Sequence, residues 1–164
     1  MKIAYVALGS NLINPEEQIK TAFFALEQVA YTRVIKKSSL YQTSPIGYDA
    51  IALKQIPDFI NAAVKLETDL TPGALLEALF DIENHAGRKR PYANAPRLLD
   101  CDLLLYENLV MNTEKLTLPH PRMHTRGFVL LPLLEIEPQL SIPNHGKIAR
   151  LITPDLISGV KILT

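Results

Sequence analysis

The order of strand-like and helix-like segments is the feature that most constrains the fold of this chain. Residues 2–9 (KIAYVALG) have the apolar pattern of a buried strand. Residues 14–17 (NPEE) follow with an N-cap, a proline in the first turn and two acids, which predicts a helix. A second predicted helix begins at Thr71-Pro72, and further strand-like runs occupy residues 32–43, 58–70 and 97–106. The order β-α-β-β-α-β predicts an α/β (α+β) fold, a ferredoxin-like sheet with helices packed on one side.

The last third of the chain is predicted to add a C-terminal extension to this sheet. It contains short strands, a proline-rich segment and a helix from about Thr125 to Ile136 that bends at Pro132. The sequence shows no internal repeat and no linker, and its 164 residues suit one domain. We therefore expect a single domain, residues 1–164.

Charge and cysteine content limit the partners and the compartment. Lys+Arg and Asp+Glu both number 17, so the formal net charge is zero and no global field attracts nucleic acid or an anionic membrane. Cys101 is the only cysteine, which leaves no internal disulfide and suits a reducing compartment. Residues 1–8 are too short an apolar run for a signal peptide, and no stretch approaches the roughly 18 apolar residues of a membrane span. We expect a cytoplasmic protein without nucleic-acid or membrane partners.

Two aspartates one residue apart stand inside an apolar run, RLLDCDLLLY (residues 97–106). In a strand, Asp100 and Asp102 point to the same face, roughly 6–7 Å apart, and repel by roughly 2–3 kcal/mol. A cation should therefore lie between them, either a nearby arginine in a structural ion pair or a divalent metal. Carboxylates without accompanying His or Cys favour magnesium over zinc. Cys101 is expected to face the other way, as a small core residue.

The loop before this strand, residues 87–97 (GRKRPYANAPR), carries four cations: Arg88, Lys89, Arg90 and Arg97. Such cations beside a magnesium-binding acidic pair are what a polyphosphate requires, because guanidinium groups grip phosphate oxygens while the metal neutralises the remaining charge. The alternative is a solvated basic turn. No GxxxxGK(S/T) or GxGxxG motif occurs, so side chains would have to hold the phosphates.

A third segment, residues 115–128 (KLTLPHPRMHTRGF), contains Lys115, His120, Arg122, His124 and Arg126. Prolines on both sides of His120 fix the backbone there in an extended form. A rigidly presented histidine suits a phosphate donor or a proton shuttle, although a lone surface histidine usually has neither role. The same prolines disfavour a helical metal pair of His120 with His124, so zinc is not expected.

Together these segments resemble the 6-hydroxymethyl-7,8-dihydropterin pyrophosphokinase family. The similarity spans nearly the whole chain and is carried by YVALGSNL, SSLYQTSPIG, DFINAAV, PRLLDCDLLLY and LTLPHPRMHTRGFVLLPLLEI. Its most specific parts are A-P-R-x-x-D-x-D and L-P-H-P-R-M followed by R-G-F. The ferredoxin-like α/β fold of that family agrees with the element order predicted above.

The resemblance implies transfer of pyrophosphate from ATP to the hydroxymethyl oxygen of the pterin, with release of AMP, in folate biosynthesis. It implies ATP as co-substrate and two Mg²⁺ ions on Asp100 and Asp102, and we expect a monomer whose partners are ATP and hydroxymethyl-dihydropterin. The catalytic positions of the family correspond to Arg88, Arg97, Asp100 and Asp102. The ATP-binding positions correspond to Glu83, Leu103, Lys115, Thr117, His120 and Arg126. The pterin-binding positions correspond to Thr43, Ser44, Ile46, Phe59, Asn61 and Phe128.

The chain also departs from the family pattern. Ala93 and Asn94 stand where many members carry a charged or aromatic residue, and Cys101 replaces an aliphatic residue. The loop 87–97 is nevertheless expected to close over the substrates as a lid. Two alternatives stay open: a palm- or cyclase-like nucleotidyl transferase, whose sheet also carries paired aspartates, and a non-catalytic RNA- or ligand-binding domain. Balanced charge disfavours the first, and the lack of an aromatic platform disfavours the second.

Overall fold

The architecture is given by a computed structural model, which describes residues 1–44, 58–87 and 98–163. The strands are β1 (Lys2–Ser10), β2 (Thr32–Lys37), β3 (Leu40–Thr43), β4 (Phe59–Thr68), β5 (Asp100–Tyr106), β6 (Met111–Asn112), β7 (Thr117–Leu118), β8 (Ser141–Ile142), β9 (Gly146–Lys147) and β10 (Lys161–Leu163). The helices are α1 (Pro15–Glu27), α2 (Pro72–Ala86), a 3₁₀ turn (Met123–Thr125), α3 (Gly127–Ile136), α4 (Ile148–Leu151) and α5 (Pro154–Ile157). None of these helices has both the length and the apolar character that crossing a membrane requires.

Six of the strands form one antiparallel sheet. Its order is β10-β3-β4-β1-β5, and β2 is also paired with β4. β3 pairs with the first residues of β4 and β2 with its last residues, so both lie along the side of β4 that faces away from β1. The long strands β1 and β4 are therefore central, and their alternating side chains serve two different cores.

The single strand predicted over residues 32–43 is divided in two by Ser38 and Ser39. The backbone N–H of Ser38 donates to the Ala63 carbonyl at 2.9 Å, and the Ser38 hydroxyl accepts from the Ala63 N–H at 2.8 Å. The Ser39 N–H donates to the Glu135 carboxylate at 3.0 Å. These side chains replace regular ladder bonds, and sequence periodicity does not reveal such tertiary partners.

The two predicted helices of the β-α-β-β-α-β order are confirmed and lie on the same face of the sheet. Pro15 and Pro72 both stand in the first turn of their helices. Thr71 caps α2, because its side chain accepts from the Ala74 N–H at 3.1 Å. Asn14 stands at the predicted N-cap position, but its side chain makes no capping hydrogen bond and its backbone is left-handed with φ of 53°. Both helices pack in one core with alternate residues of β1 and β4.

Helix α3 covers the opposite face of the sheet. The sequence predicted helices on one face only, so the structure differs from the prediction here. The buried α3 residues Leu130 and Leu133 pack with Tyr5, Ala63 and Leu104 in a second core. The predicted helix over 125–136 is divided in the structure into the 3₁₀ turn and α3. α3 is buried on several sides, and its sequence is accordingly apolar almost throughout. Such a helix has no distinct apolar stripe, so its sequence does not show which face of the sheet it covers.

Both ends of α3 are fixed. At its C-terminal end the Glu135 carboxylate accepts from the Tyr41 hydroxyl at 2.7 Å, and Glu137 accepts from the Lys65 ammonium at 2.7 Å. At its N-terminal end Gly127 lies so close to α5 that an added Cβ would overlap the carbonyl oxygen of Leu156. The C-terminal extension thus holds the first turn of α3 at the end of the sheet where β1 finishes and β5 begins.

Candidate active site

A cavity of about 570 Å³ lies between this end of the sheet and the first turn of α3. Residues from β1, β4, β5, the 3₁₀ turn and α3 line it. The register brings three of them side by side, since Gly9 of β1 pairs with Asn61 of β4 on one side and with Asp100 of β5 on the other. Two strand spacings separate Asn61 from Asp100, about 10 Å. The cavity thus has an acidic end at β5 and an amide end at β4.

Asp100 and Asp102 share one face of β5, as the sequence predicts. Both line the cavity, whereas Cys101 between them is buried in the core on the opposite face. Burial raises the pKa of the Cys101 thiol, with the charges of Glu83, Asp102 and Asp100 acting in the same direction. The thiol is therefore a neutral core group, which agrees with its predicted role.

The acidic end fits a hard divalent cation. Carboxylate oxygens are the donors that Mg²⁺ prefers, and Mg²⁺ commonly completes its coordination with water and phosphate. The described residues contain no group of three or more His, Cys, Asp or Glu that could enclose a metal. An open pair of carboxylates suits Mg²⁺ shared with a phosphate better than it suits a closed zinc site.

Two arginines line the same cavity. Arg122 and Arg126 line the cavity on either side of the 3₁₀ turn, and the Arg126 guanidinium carbon lies 5.7 Å from the centre of the Phe128 ring. A planar guanidinium can grip a phosphate bidentately, so these two cations complement the carboxylates around a metal–phosphate group. The cavity therefore brings both signs of charge together.

His120 lies beside these charges. Burial lowers the pKa of its imidazole, Asp102 opposes that effect, and Arg126 and Arg122 reinforce it. Its Nδ1 accepts a hydrogen bond from the Arg122 backbone N–H at 3.2 Å. The ring is therefore neutral near pH 7, with its proton on Nε2. This tautomer leaves Nε2 as a hydrogen-bond donor.

The amide end is built by β4. Asn61 is only 5% exposed, and its Nδ2 has no hydrogen-bond partner among the described residues. Phe59 lies two residues earlier on the same face of the strand, and Phe128 lines the same cavity from α3. An added Cβ on Gly9 would stand 3.2 Å from the Asn61 Oδ1, so the glycine allows the amide to lie close to β1. A flat ring with polar edge atoms would fit here.

The predicted residues that line the cavity are Thr43, Ser44, Phe59, Asn61, Asp100, Asp102, Arg126 and Phe128. Arg88, Arg97, Ile46 and the predicted lid apart from Gly87 lie outside the described residues. The roles assigned to all of these residues stay predictions. The eight that line the cavity come from separate segments between residues 43 and 128 and converge on one site.

The other predicted nucleotide residues do not line this cavity in the described part of the chain. Glu83 is buried on the opposite face of the sheet, where its carboxylate accepts from the Cys101 N–H at 3.0 Å. Leu103 is buried in the same core. Lys115 is exposed, and the Thr117 hydroxyl donates to the Asn112 side chain at 3.1 Å. Their part in nucleotide binding, like that of His120, stays a prediction.

Sequence reasoning assigned no role to six residues of the cavity wall, which are Ala7, Leu8, Gly9, Arg122, Thr125 and Val129. A glycine inside a strand pattern often marks close backbone approach, and this signal could have identified Gly9. Arg122 belongs to the basic segment 115–128, but its place in the cavity wall depends on how the 3₁₀ turn folds. A second cavity of about 290 Å³ shares Thr43, Ser44 and Arg126 with the first, and residues of the C-terminal segment also line it.

Comparisons with known proteins find similar sequences and structures. The family model described as 7,8-dihydro-6-hydroxymethylpterin-pyrophosphokinase (HPPK) matches residues 5–138. A 2-amino-4-hydroxy-6-hydroxymethyldihydropteridine pyrophosphokinase of Haemophilus influenzae is 43% identical over 152 residues, which cover 93% of this chain and 92% of that protein. The protein of the same name from Bacillus subtilis is 46% identical over 134 residues, which cover 82% of this chain and 77% of that one.

A solved structure has the same fold. It is a triple mutant of Plasmodium falciparum HPPK-DHPS with pteroate, and it matches 98% of this chain with a TM-score of 0.70 and 15% sequence identity. This chain spans 46% of that solved chain. At such low identity the likeness concerns the fold, so the chemistry must be argued from the cavity.

Proposed function

Because this chain belongs to the 7,8-dihydro-6-hydroxymethylpterin-pyrophosphokinase family, whose members are diphosphotransferases, we propose a specific reaction for it. The chain transfers pyrophosphate from ATP to the hydroxymethyl oxygen of 6-hydroxymethyl-7,8-dihydropterin, giving AMP and the pterin diphosphate in folate synthesis. The observation that carries the proposal is one cavity lined by paired carboxylates, two arginines, two phenylalanines and a buried amide.

The pterin is recognised at the amide end. Asn61 offers one donor and one acceptor to the polar edge of the ring, and its Nδ2 lacks a partner in the described residues. Phe59 and Phe128 supply apolar faces against which a flat ring packs. With the ring held near Asn61, its hydroxymethyl group points toward the carboxylates about 10 Å away.

The triphosphate is held at the acidic end. Asp100 and Asp102 hold magnesium, two ions in our proposal, and the bound metal supplies charge neutralisation and Lewis acidity to the phosphates. Arg122 and Arg126 grip phosphate oxygens, and the neutral His120 donates from Nε2. Arg88 and Arg97, outside the described residues, are assigned to the same phosphates.

Catalysis in this arrangement is mainly positioning and charge stabilisation. The pterin hydroxyl attacks the β-phosphorus in line, and AMP leaves as the bridging oxygen to the α-phosphate takes up negative charge. The arginines meet that developing charge from the cavity wall on either side of the 3₁₀ turn.

Finer features of the molecule are part of the same proposal. The strand order β5-β1-β4 followed by β2 and β3, with α1 and α2 on one face, supports a ferredoxin-like classification with α3 as an addition. We further propose a cytoplasmic monomer with one domain over residues 1–164 and no nucleic-acid partner. The zero net charge and the single cysteine support these points.

One assay tests the reaction. The protein is incubated with ATP, Mg²⁺ and 6-hydroxymethyl-7,8-dihydropterin, and the nucleotide product is identified by chromatography. AMP formed only when the pterin is present is the expected result. Release of pyrophosphate would indicate a nucleotidyl transferase or cyclase, ADP would indicate transfer of one phosphoryl group, and no product would favour a binding domain.

A further inference from the structure

Two histidines without a role in the proposed reaction lie in face-to-face contact beside the cavity. The ring centroids of His124 and His145 are 3.8 Å apart, and the ring planes are inclined by 13°. His124 belongs to the 3₁₀ turn Met123–Thr125, whereas His145 lies in the turn that joins β8 to β9. The contact therefore connects the cavity wall to a hairpin of the C-terminal extension.

The 3₁₀ turn carries cavity residues but has little internal support. Arg122, Thr125 and Arg126 line the cavity around it. A three-residue 3₁₀ helix has poor hydrogen-bond geometry and does not fix its own orientation. Met123 is completely buried and forms one side-chain anchor. On the C-terminal side of the turn, the Arg126 carbonyl accepts from the Val129 and Leu130 N–H groups, both at 3.0 Å. A tilt of the turn about these points would redirect the arginine side chains.

The histidine contact supplies a second anchor. The Nδ1 of His124 is buried and has no hydrogen-bond partner among the described residues. Because no hydrogen bond at this nitrogen holds the ring, its packing against His145 does. The hairpin itself is firmly seated, because Ile142 and Ile148 on either side of it are buried in the same core as Met123. The left-handed backbone of Gly146, with φ of 86°, makes the tight turn that presents His145.

We propose that His145, acting through His124, is a positioning residue that fixes the direction in which Arg122 and Arg126 enter the cavity. The inference rests on the proposed function, in which these arginines face the phosphates of ATP. His145 does not line the cavity in the described part of the chain, so its effect on ATP is indirect. It is exposed, and its removal therefore leaves no void in the core.

The test compares His145→Ala with His145→Phe, and uses Lys147→Ala as a control at an exposed position of the same hairpin. The KM for ATP, and the Kd for a non-hydrolysable ATP analogue with Mg²⁺ measured by calorimetry, are expected to rise roughly two- to tenfold in His145→Ala. His145→Phe restores both values because it keeps a flat ring on His124, and Lys147→Ala keeps them at the wild-type level. A purely structural role would instead lower the active fraction and therefore kcat, with KM unchanged.

Provided that the wild type is active, two results would overturn the inference. One is an unchanged ATP affinity in His145→Ala, and the other is an equal loss of ATP affinity in the Ala and Phe variants. A wild-type protein that forms no AMP contradicts the proposed function and this inference together. The two failures are therefore distinguished by the wild-type assay alone.

Discussion

Gly9 lies between Asn61 and Asp100 in the sheet, and its lack of a side chain lets the Asn61 amide lie close to β1. The amide is buried, yet its Nδ2 has no partner among the described residues. Unpaired buried donors are costly and uncommon in folded proteins, so this one indicates a ligand acceptor. In the proposed function, recognition of the pterin would thus depend on one amide and on the glycine beside it.

Asn61→Ala tests the amide directly. The variant leaves the polar edge of the pterin unpaired in a buried pocket, which should cost about 1–3 kcal/mol of pterin affinity. Nucleotide affinity should hold, because the acidic end is two strands away. Calorimetry with each ligand separately measures both values. Equal losses for both ligands would indicate damage to the fold, and an unchanged pterin affinity would remove Asn61 from the site.

Gly9→Ala tests the space beside the amide. The new Cβ stands 3.2 Å from the Asn61 Oδ1, so the amide must shift toward the cavity and pterin affinity should fall. Gly73→Ala is the matched control, since an added Cβ there meets nothing within 4 Å. In helix α2 that change should stabilise the protein by about 0.5–1 kcal/mol without affecting either ligand. Equal pterin affinity in both variants would show that Gly9 has no such role.

Among the helices and strands, the sequence predicted the features that depend on neighbouring residues, such as helix starts and the alternation of side chains along a strand. Pro15 and Pro72 mark helix starts, and the alternating residues of β1 and β4 face two cores. The break between β2 and β3 could not be predicted, because it depends on hydrogen bonds of Ser38 with Ala63. The position of α3 on the far face depends likewise on distant partners of its carboxylates.

The Lys65–Glu137 pair at the C-terminal end of α3 predicts a dependence of stability on pH. The hydrogen bond from Lys65 lowers the pKa of Glu137 below its ordinary value of 4.5. A carboxyl group whose folded pKa is lowered stabilises the fold above its unfolded pKa and loses that contribution as the pH falls through the folded value. The effect is modest because the pair is partly exposed.

Thermal unfolding of wild type and Glu137→Gln at several pH values measures this contribution. The wild type should have the higher Tm at pH 7, and the difference should shrink as the pH is lowered below 4.5. A Tm difference that is the same at pH 7 and at pH 3 would show that the Glu137 charge does not contribute. Lys147→Ala provides a comparison for the loss of an exposed charge elsewhere.

At the scale of the whole molecule, the cavity is assembled from segments that lie far apart in sequence. The resemblance to a known family could predict Asp100, Asp102, Asn61 and Phe128 because motifs preserve residue identity. It could not predict Arg122 as a wall residue, since its position depends on the 3₁₀ turn and on the hairpin that packs against it. Motifs thus predicted residues that line one cavity, and the tertiary structure adds further wall residues to them.

In the proposed function, one cavity holds metal-bound phosphates at the Asp100–Asp102 end and the pterin at the Asn61 end. Asp102→Asn keeps the shape of the side chain and removes one of two repelling charges, so the fold should be retained. The decisive measurement is calorimetric titration of this variant with a non-hydrolysable ATP analogue in Mg²⁺ and, separately, with the pterin. We predict that nucleotide affinity falls about tenfold or more, equivalent to roughly 1.4 kcal/mol, while pterin affinity is retained. Wild-type nucleotide affinity with unchanged dependence on Mg²⁺ would contradict the claim.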